Sequence, residues 1–221
     1  MIPYYIIMGI IAYLIGSINF SILISKKKAG FDIREKGSGN AGTTNMLRSV
    51  GKGAAIVTLI LDILKGVVTI WLSIFYGFML YKIWNINIDY AILVQVSGIL
   101  VIVGHTYPIY FGFKGGKGVA TALGILLVTN WHIGIISLVF ALVLIIVSRM
   151  VSVGAICAAI LFPVLTLFSY ESSFIEPGNY MVFSIIIAII VCFNHRENIK
   201  RIMNGTENKI SLKNKNKGEY L

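Results

Sequence analysis

Long apolar runs, broken by short clusters of glycine, asparagine and basic residues, dominate this chain. AIVTLILDILKGVVTIWLSIF (55–75), IGIISLVFALVLIIVS (133–148) and FSIIIAIIVCF (183–193) are cores of, or close to, bilayer-crossing length. The runs are uninterrupted rather than alternating, which predicts helices rather than strands. Dividing the chain at its polar breaks gives seven spans near 3–25, 53–80, 90–112, 117–130, 131–148, 151–170 and 180–194. The fourth is short and begins at a glycine-lysine turn, so it is either a full helix or a half-helix that dips in and returns. The expected fold is an all-α, polytopic membrane protein with seven transmembrane helices. Residues 1–221 form one integral membrane domain, with 204–221 a loosely ordered basic cytoplasmic tail.

Composition agrees with this pattern and adds an orientation. Of the 221 residues 57% are hydrophobic and 13% charged, with a formal net charge of +10. Soluble domains carry about 25% charged residues. The N-terminal run lacks the basic start and the small-residue cleavage site of a secretory signal, so it reads as the first retained span. Lysine and arginine crowd into residues 26–52, the turn at 114–117, Arg149 and the segment after 194. Lys82 stands alone on the opposite side, with Asp89, Glu171 and Glu176. With seven spans every basic segment falls on one face, which places the N-terminus outside and the C-terminus in the cytoplasm. With six spans, Arg149 and the tail would change sides. Cys157 and Cys192 lie inside apolar runs, without metal or redox spacing, and read as small buried hydrophobes.

Three polar clusters do not fit passive spans. In REKGSGNAGTTNMLRSVGKG the glycines at 37, 39 and 42 let the backbone gather N–H groups into an anion-binding concavity. Ser38, Asn40, Thr43, Thr44 and Asn45 add neutral donors, and Lys36 and Arg48 add charge. In FKGGKGVATALG (113–124) a Gly115-Gly116 turn between Lys114 and Lys117 opens a helix whose N-terminus attracts anions. It is not a Walker A loop: Phe111 stands where that pattern needs glycine, and Gly118 follows the lysine where Ser or Thr should stand. In FNHRENIKRIMNGTENKI, His195 and Asn198 share a helix face if the helix continues past the last span. All three clusters lie on one membrane face, rich in cations and poor in carboxylates, which suits a phosphorylated small molecule reaching a site open to the lipid. No metal site and no nucleic-acid signal accompany them. Asp62 and Lys65, three residues apart, share a face of the second span and can pair there. His132 reads as an interfacial residue.

GSGNAGTTN (37–45), GHTYPIYFGFKGGKGVAT (104–121) and HRENIKRIMNGTEN (195–208) resemble signature motifs of the bacterial acyl-phosphate:glycerol-3-phosphate acyltransferases. RSVGKGAAIVTLILDILKG (48–66) and SRMVS (148–152) look like that family's connecting segments, so the resemblance covers essentially the whole chain. One departure is Thr43, where alanine is the more usual residue. The resemblance implies a seven-helix enzyme of the bacterial cell membrane, its active site facing the cytoplasm and working without cofactor. It would move a fatty acyl group from acyl phosphate to the 1-hydroxyl of glycerol 3-phosphate, giving lysophosphatidic acid and phosphate, the first acylation of phospholipid synthesis. The enzyme that makes acyl phosphate becomes an expected partner, beside membrane lipid. Consistent with an acyl-phosphate donor, the H-x-x-x-x-D box of acyl-CoA-type acyltransferases is absent: Tyr110, Ser137 and Lys200 stand five residues past the three histidines.

On this reading His195, Asn198, Arg48 and Lys114 are the expected catalytic group. Ser38, Gly39, Asn40, Thr44, Asn45, His105, Gly115, Gly116, Lys117, Gly118, Ser152, Arg196, Arg201 and Glu207 are the expected substrate-binding residues. Acyl phosphate is already activated, so the protein must hold two anions, aim a hydroxyl at the carbonyl carbon and steady the oxyanion. Either His195 or a substrate phosphate takes the hydroxyl proton. The alternative is a transporter or flippase for a phosphorylated metabolite or lipid, although no internal repeat is visible. A purely structural subunit leaves the polar clusters unexplained.

Overall fold

The computed structural model describes residues 1–168 and 177–210. Glu171, Glu176, Lys213, Lys215 and Lys217 lie outside the described residues. Within them the chain is helical: α1 (Ile2–Ser17), α2 (Phe20–Ala29), α3 (Thr43–Ser49), α4 (Lys52–Trp84), α5 (Tyr90–Thr106), α6 (Val119–Thr129), α7 (Trp131–Ser148), α8 (Val151–Thr166), α9 (Pro177–Asn194) and α10 (Arg196–Met203). Short 3-10 turns at Ile33–Glu35 and Ile109–Phe111 punctuate the polar loops.

Four helical segments among these residues are long and apolar enough to cross a membrane: Ile2–Ala29, Lys52–Trp84, Tyr90–Phe111 and Trp131–Ser148. A fifth arises if α9 and α10, bent by 61°, are counted as one. Three of the expected spans differ from their expected form for a local reason. The first is broken at Ile18–Asn19, where Asn19 leaves the helix and its side chain caps α2 by accepting the Ile22 N–H. The expected fourth span becomes α6, whose 11 residues reach only about 16 Å. It stops at Asn130, which caps α7 by accepting from the Ile133 N–H. The sixth is α8, with 16 residues. Of the expected loose tail, residues 204–210 are among those described. Residues 204–210 turn back toward the bundle, with the Thr206 N–H on the Arg201 carbonyl at 2.8 Å and the Ile210 N–H on the Arg149 carbonyl at 2.7 Å.

Lipid offers helices no hydrophobic reason to associate, so close backbone packing must supply the attraction. Glycines permit that approach here. A Cβ on Gly16 of α1 would overlap the Val101 carbonyl, and one on Gly104 of α5 would overlap the Tyr13 carbonyl. Gly66 of α4 and Gly124 of α6 meet the carbonyls of Thr121 and Ile63 in the same way. Between these seams Ile70, Val101, Ile102, Ile125, Phe162, Phe183 and Ile187 form the buried core. Hydroxyls inside helices bond back to the preceding turn, as Thr58 does to the Ala54 carbonyl at 2.8 Å and Thr69 to the Lys65 carbonyl at 2.7 Å. Along the middle of α4 and α7 the exposed residues are apolar (Ile56, Ile60, Trp71 and Phe75; Ile135, Val139, Val143 and Val147), as a lipid-facing surface requires. A separate small core of Ile22, Ile33, Ala41, Met46, Ala54 and Ala55 pins the 30–50 loop onto α2 and α4.

Candidate active site

The first glycine-rich loop is organised by Asn45. Its side chain is 1% exposed. Nδ2 donates to the carbonyls of Ile33 (3.0 Å), Lys36 (2.9 Å) and Asn40 (3.0 Å), while Oδ1 accepts the Ser38 N–H at 3.0 Å. Asn45 was expected to touch substrate; its amide is instead committed to shaping the loop. Ser38 and Gly39 stand exposed at the tip, with Asn40, Thr43 and Thr44 half-buried behind them.

Arg34 ties this loop to the second. Its guanidinium makes a bidentate pair with Asp32, Nε to Oδ1 at 3.0 Å and Nη2 to Oδ2 at 2.8 Å. The remaining Nη1 donates to the carbonyls of Phe111 (2.6 Å) and Lys114 (3.2 Å). The hydrogen bonds from Arg34 hold the Asp32 carboxyl at a pKa of about 2 against the upward push of burial. Lys114 is exposed, and the hydrogen bond it accepts is through its carbonyl.

The Gly115 and Gly116 N–H groups were expected to cradle phosphate. They are occupied by the end of α5: Gly115 donates to the Thr106 carbonyl at 3.0 Å and Gly116 to the His105 carbonyl at 3.1 Å. These glycines serve close approach, because a Cβ on Gly116 would overlap His105 Nε2 and one on Gly115 would overlap the His105 carbonyl. Gly118 has φ +84°, a left-handed conformation that lets the chain turn directly into α6.

The third segment closes the site around Glu207. Its Oε1 accepts from Asn198 Nδ2 at 2.7 Å and from the Ser152 hydroxyl at 2.9 Å, and its Oε2 accepts from Arg201 Nε at 2.8 Å. Lys117 Nζ donates to Asn198 Oδ1. Arg48 reaches the Asn208 carbonyl at 3.4 Å from the other side and lies near enough to repel the Lys117 charge. Burial pushes the Glu207 carboxyl up, but the hydrogen bonds from Asn198, Ser152 and Arg201 outweigh it and hold it below its ordinary value. Burial brings the Lys117 ammonium down to about 8, with Glu207 opposing and Arg201 and Arg48 reinforcing the drop. His195, at the bend between α9 and α10, is 4% exposed. Burial first, then the Lys117 charge, lowers it to about 4, so the ring is neutral. Its Nδ1–H donates to the Val191 carbonyl at 2.8 Å, leaving Nε2 as an acceptor.

Lys117, Asn198, Glu207, Ser152 and Arg201 therefore form one hydrogen-bonded network, with Arg48 and His195 beside it. Arg196 is not part of it. It stacks on Phe193, 4.6 Å from the ring centroid, and donates to the Phe193 carbonyl at 3.1 Å. Three contributors escaped the sequence reading: Arg34, Thr106 and Asn194. Asn194 Nδ2 donates to Thr106 Oγ1 at 3.1 Å and to the Lys117 carbonyl at 3.4 Å. An asparagine ending an apolar run was the available signal for Asn194, and the Asp32-Ile33-Arg34 spacing for the clasp. Among the described residues no three His, Cys, Asp or Glu side chains gather as metal ligands. The arrangement offers cations and neutral donors to an anion, with its one carboxylate engaged in holding the donors.

Comparison with known proteins places this site in context. Residues 6–205 match the family model described as glycerol-3-phosphate acyltransferase. The chain is 39% identical over 201 residues to a glycerol-3-phosphate acyltransferase of Shouchella clausii, covering 91% of this chain and 93% of that protein. It is 37% identical over 209 residues to one of Clostridioides difficile, covering 95% and 97%. Crystal structures of PlsY (YgiH), an integral membrane glycerol 3-phosphate acyltransferase, share the fold. The glycerol 3-phosphate form has a TM-score of 0.79 at 34% identity, covering 94% of this chain and 96% of that one. The lysophosphatidic acid form has a TM-score of 0.76 at 33% identity, covering 94% and 95%. This chain is an integral membrane protein that belongs to the glycerol-3-phosphate acyltransferase family.

Proposed function

We propose that this enzyme transfers a fatty acyl group from acyl phosphate to the 1-hydroxyl of glycerol 3-phosphate, releasing lysophosphatidic acid and inorganic phosphate. The observation that carries the reading is the Lys117–Asn198–Glu207 network, which draws donors from three distant segments into one anion-binding wall. The glycerol 3-phosphate and lysophosphatidic acid forms of the similar PlsY support substrate and product.

Glycerol 3-phosphate is held by Lys117, Arg48 and Arg201, while His195 Nε2 and Asn198 orient its free hydroxyl. Ser38, Gly39, Asn40 and Thr44 meet the acyl-phosphate head, with Lys114 near the rim. Asn45, Gly115, Gly116 and Gly118 act by shaping the loops. The hydroxyl oxygen bonds to the acyl carbon, and the bond from that carbon to the phosphate oxygen breaks with its electrons going to phosphate. The hydroxyl proton passes to the leaving phosphate, with His195 positioning the hydroxyl; the absence of a free carboxylate in the network favours this over a protein base. The charge distribution supports seven crossings, the N-terminus outside and the C-terminus and active site at the cytoplasmic face of a bacterial plasma membrane. That face is where a soluble enzyme making acyl phosphate would dock.

The test is donor choice. Purified protein in detergent, given glycerol 3-phosphate, is expected to form lysophosphatidic acid from palmitoyl phosphate and not from palmitoyl-CoA or palmitoyl-acyl carrier protein. Turnover with the thioesters and none with palmitoyl phosphate would overturn the donor assignment.

A further inference from the structure

Asp62 and Lys65 sit on α4 at 2% and 4% exposure, and acyl transfer as described gives them no task. An ion pair in a lipid-embedded bundle is a costly way merely to pack helices. The surroundings of Lys65 show what it does. Its Nζ lies 2.9 Å from Asp62 Oδ1 and donates to the carbonyls of Gly16 (3.2 Å) and Ile18 (3.1 Å). Those carbonyls stand at the break between α1 and α2, so the ammonium caps a helix end that would otherwise be open inside the protein.

The same nitrogen is 2.7 Å from His105 Nδ1. An ammonium has only protons to offer, so Nδ1 accepts and the neutral ring carries its own proton on Nε2. Asp62 Oδ1 stands 3.5 Å from that ring nitrogen without hydrogen-bond geometry. Asp62 therefore balances the ammonium rather than turning the imidazole.

The other edge of the ring faces the site. A Cβ built on Gly116 would overlap His105 Nε2 and lie 2.9 Å from the Ala41 carbonyl. Nε2–H is thus at the seam of the two glycine-rich loops, on a side chain 4% exposed. The hydrogen bond that holds the ring is made at Nδ1, which leaves the Nε2–H edge turned toward the seam. We propose that Asp62 and Lys65 are positioning residues that lock His105 as an Nε2–H donor to the acyl-phosphate head at this seam. Glycerol 3-phosphate stays with Lys117 and its partners. The inference rests on the acyl-phosphate reading above.

The test separates a donor from a structural imidazole. His105→Gln returns an N–H near the Nε2 position, whereas His105→Leu does not. The double variant Asp62→Leu/Lys65→Met removes both charges together, an exchange that buried ion pairs commonly tolerate. For each, kcat and KM are measured separately for palmitoyl phosphate and glycerol 3-phosphate, with thermal melting in detergent. His105→Leu and the double variant are expected to lose about 100-fold in kcat/KM for palmitoyl phosphate, with KM for glycerol 3-phosphate within about twofold of wild type. His105→Gln should recover to within about tenfold. No turnover of palmitoyl phosphate by the wild type would defeat the underlying donor reading. With the wild type active, four outcomes overturn the positioning role: wild-type kinetics in the double variant, wild-type kinetics in His105→Leu, equal impairment of the Gln and Leu variants, or His105→Leu failing to fold.

Discussion

Lys117 carries the sharpest residue-scale consequence, because its proton is held less tightly than a lysine's usually is. Its folded value of about 8 lies below the ordinary 10.5, so the charge that attracts a phosphate is lost as pH rises past 8. We expect kcat/KM for glycerol 3-phosphate to fall about tenfold per pH unit above that point, since this ratio reports free-enzyme ionisations. Lys117→Arg keeps its charge and should show no such limb; a fall that persists in that variant would remove Lys117 from the explanation. His195, already neutral above about 4, contributes no limb between pH 5 and 9. An acid limb near 6 belongs to the substrate's own phosphate. If His195 only positions the hydroxyl, His195→Ala should cost a few-fold in turnover while Arg48→Ala abolishes it, measured with saturating palmitoyl phosphate. A loss of about 10⁴-fold in His195→Ala would instead make it the base.

At the scale of elements, the sequence showed which segments matter more clearly than what each residue in them does. The network gathers Asn198, Arg201, Glu207, Ser152 and Lys117, with Arg48 and His195 beside it; in the sequence these stood out as polar groups at a membrane edge or through the motifs that resemble the family's. The tasks of Asn45, Gly115 and Gly116 were not legible. A glycine that frees an N–H and a glycine that permits contact look alike until the partner carbonyl is seen, and here the partners are the last carbonyls of α5. The broken first span was hidden too, since the Ile18–Asn19 break costs no apolar length and is stabilised by Lys65 from another helix. Helix contact through glycine backbones gives a prediction at this scale. Gly104→Val would force its side chain into the Tyr13 carbonyl of α1. Overpacking of this kind costs about 1–3 kcal/mol, so the melting temperature in detergent should drop by several degrees. Gly53→Val, where only the tip of the Lys28 side chain comes within 4 Å, should melt closer to wild type. Equal melting of Gly104→Val and wild type would refute the close-packed seam.

For the whole molecule, the apolar pattern and the placement of basic residues outlined a helical membrane bundle, while helix length and composition support four crossings among the described residues, or five with the bent pair. The difference arises because α6 and α8 are shorter than a bilayer is thick. Thiol labelling checks the orientation once Cys157 and Cys192 are replaced by alanine. Asn87→Cys, in the loop joining α4 and α5, should react with a membrane-impermeant maleimide on intact cells. Thr206→Cys should react only after permeabilisation, and the reverse result would invert the topology. On the proposed function the three polar segments build a catalytic site for acyl transfer rather than a passage for a phosphorylated molecule. Phosphorus NMR of purified protein with palmitoyl phosphate and glycerol 3-phosphate tests it most directly. For an acyltransferase, lysophosphatidic acid and inorganic phosphate resonances grow together in equal amounts while both substrates disappear. Unchanged spectra, from folded protein that still binds glycerol 3-phosphate, would contradict it and favour a transporter.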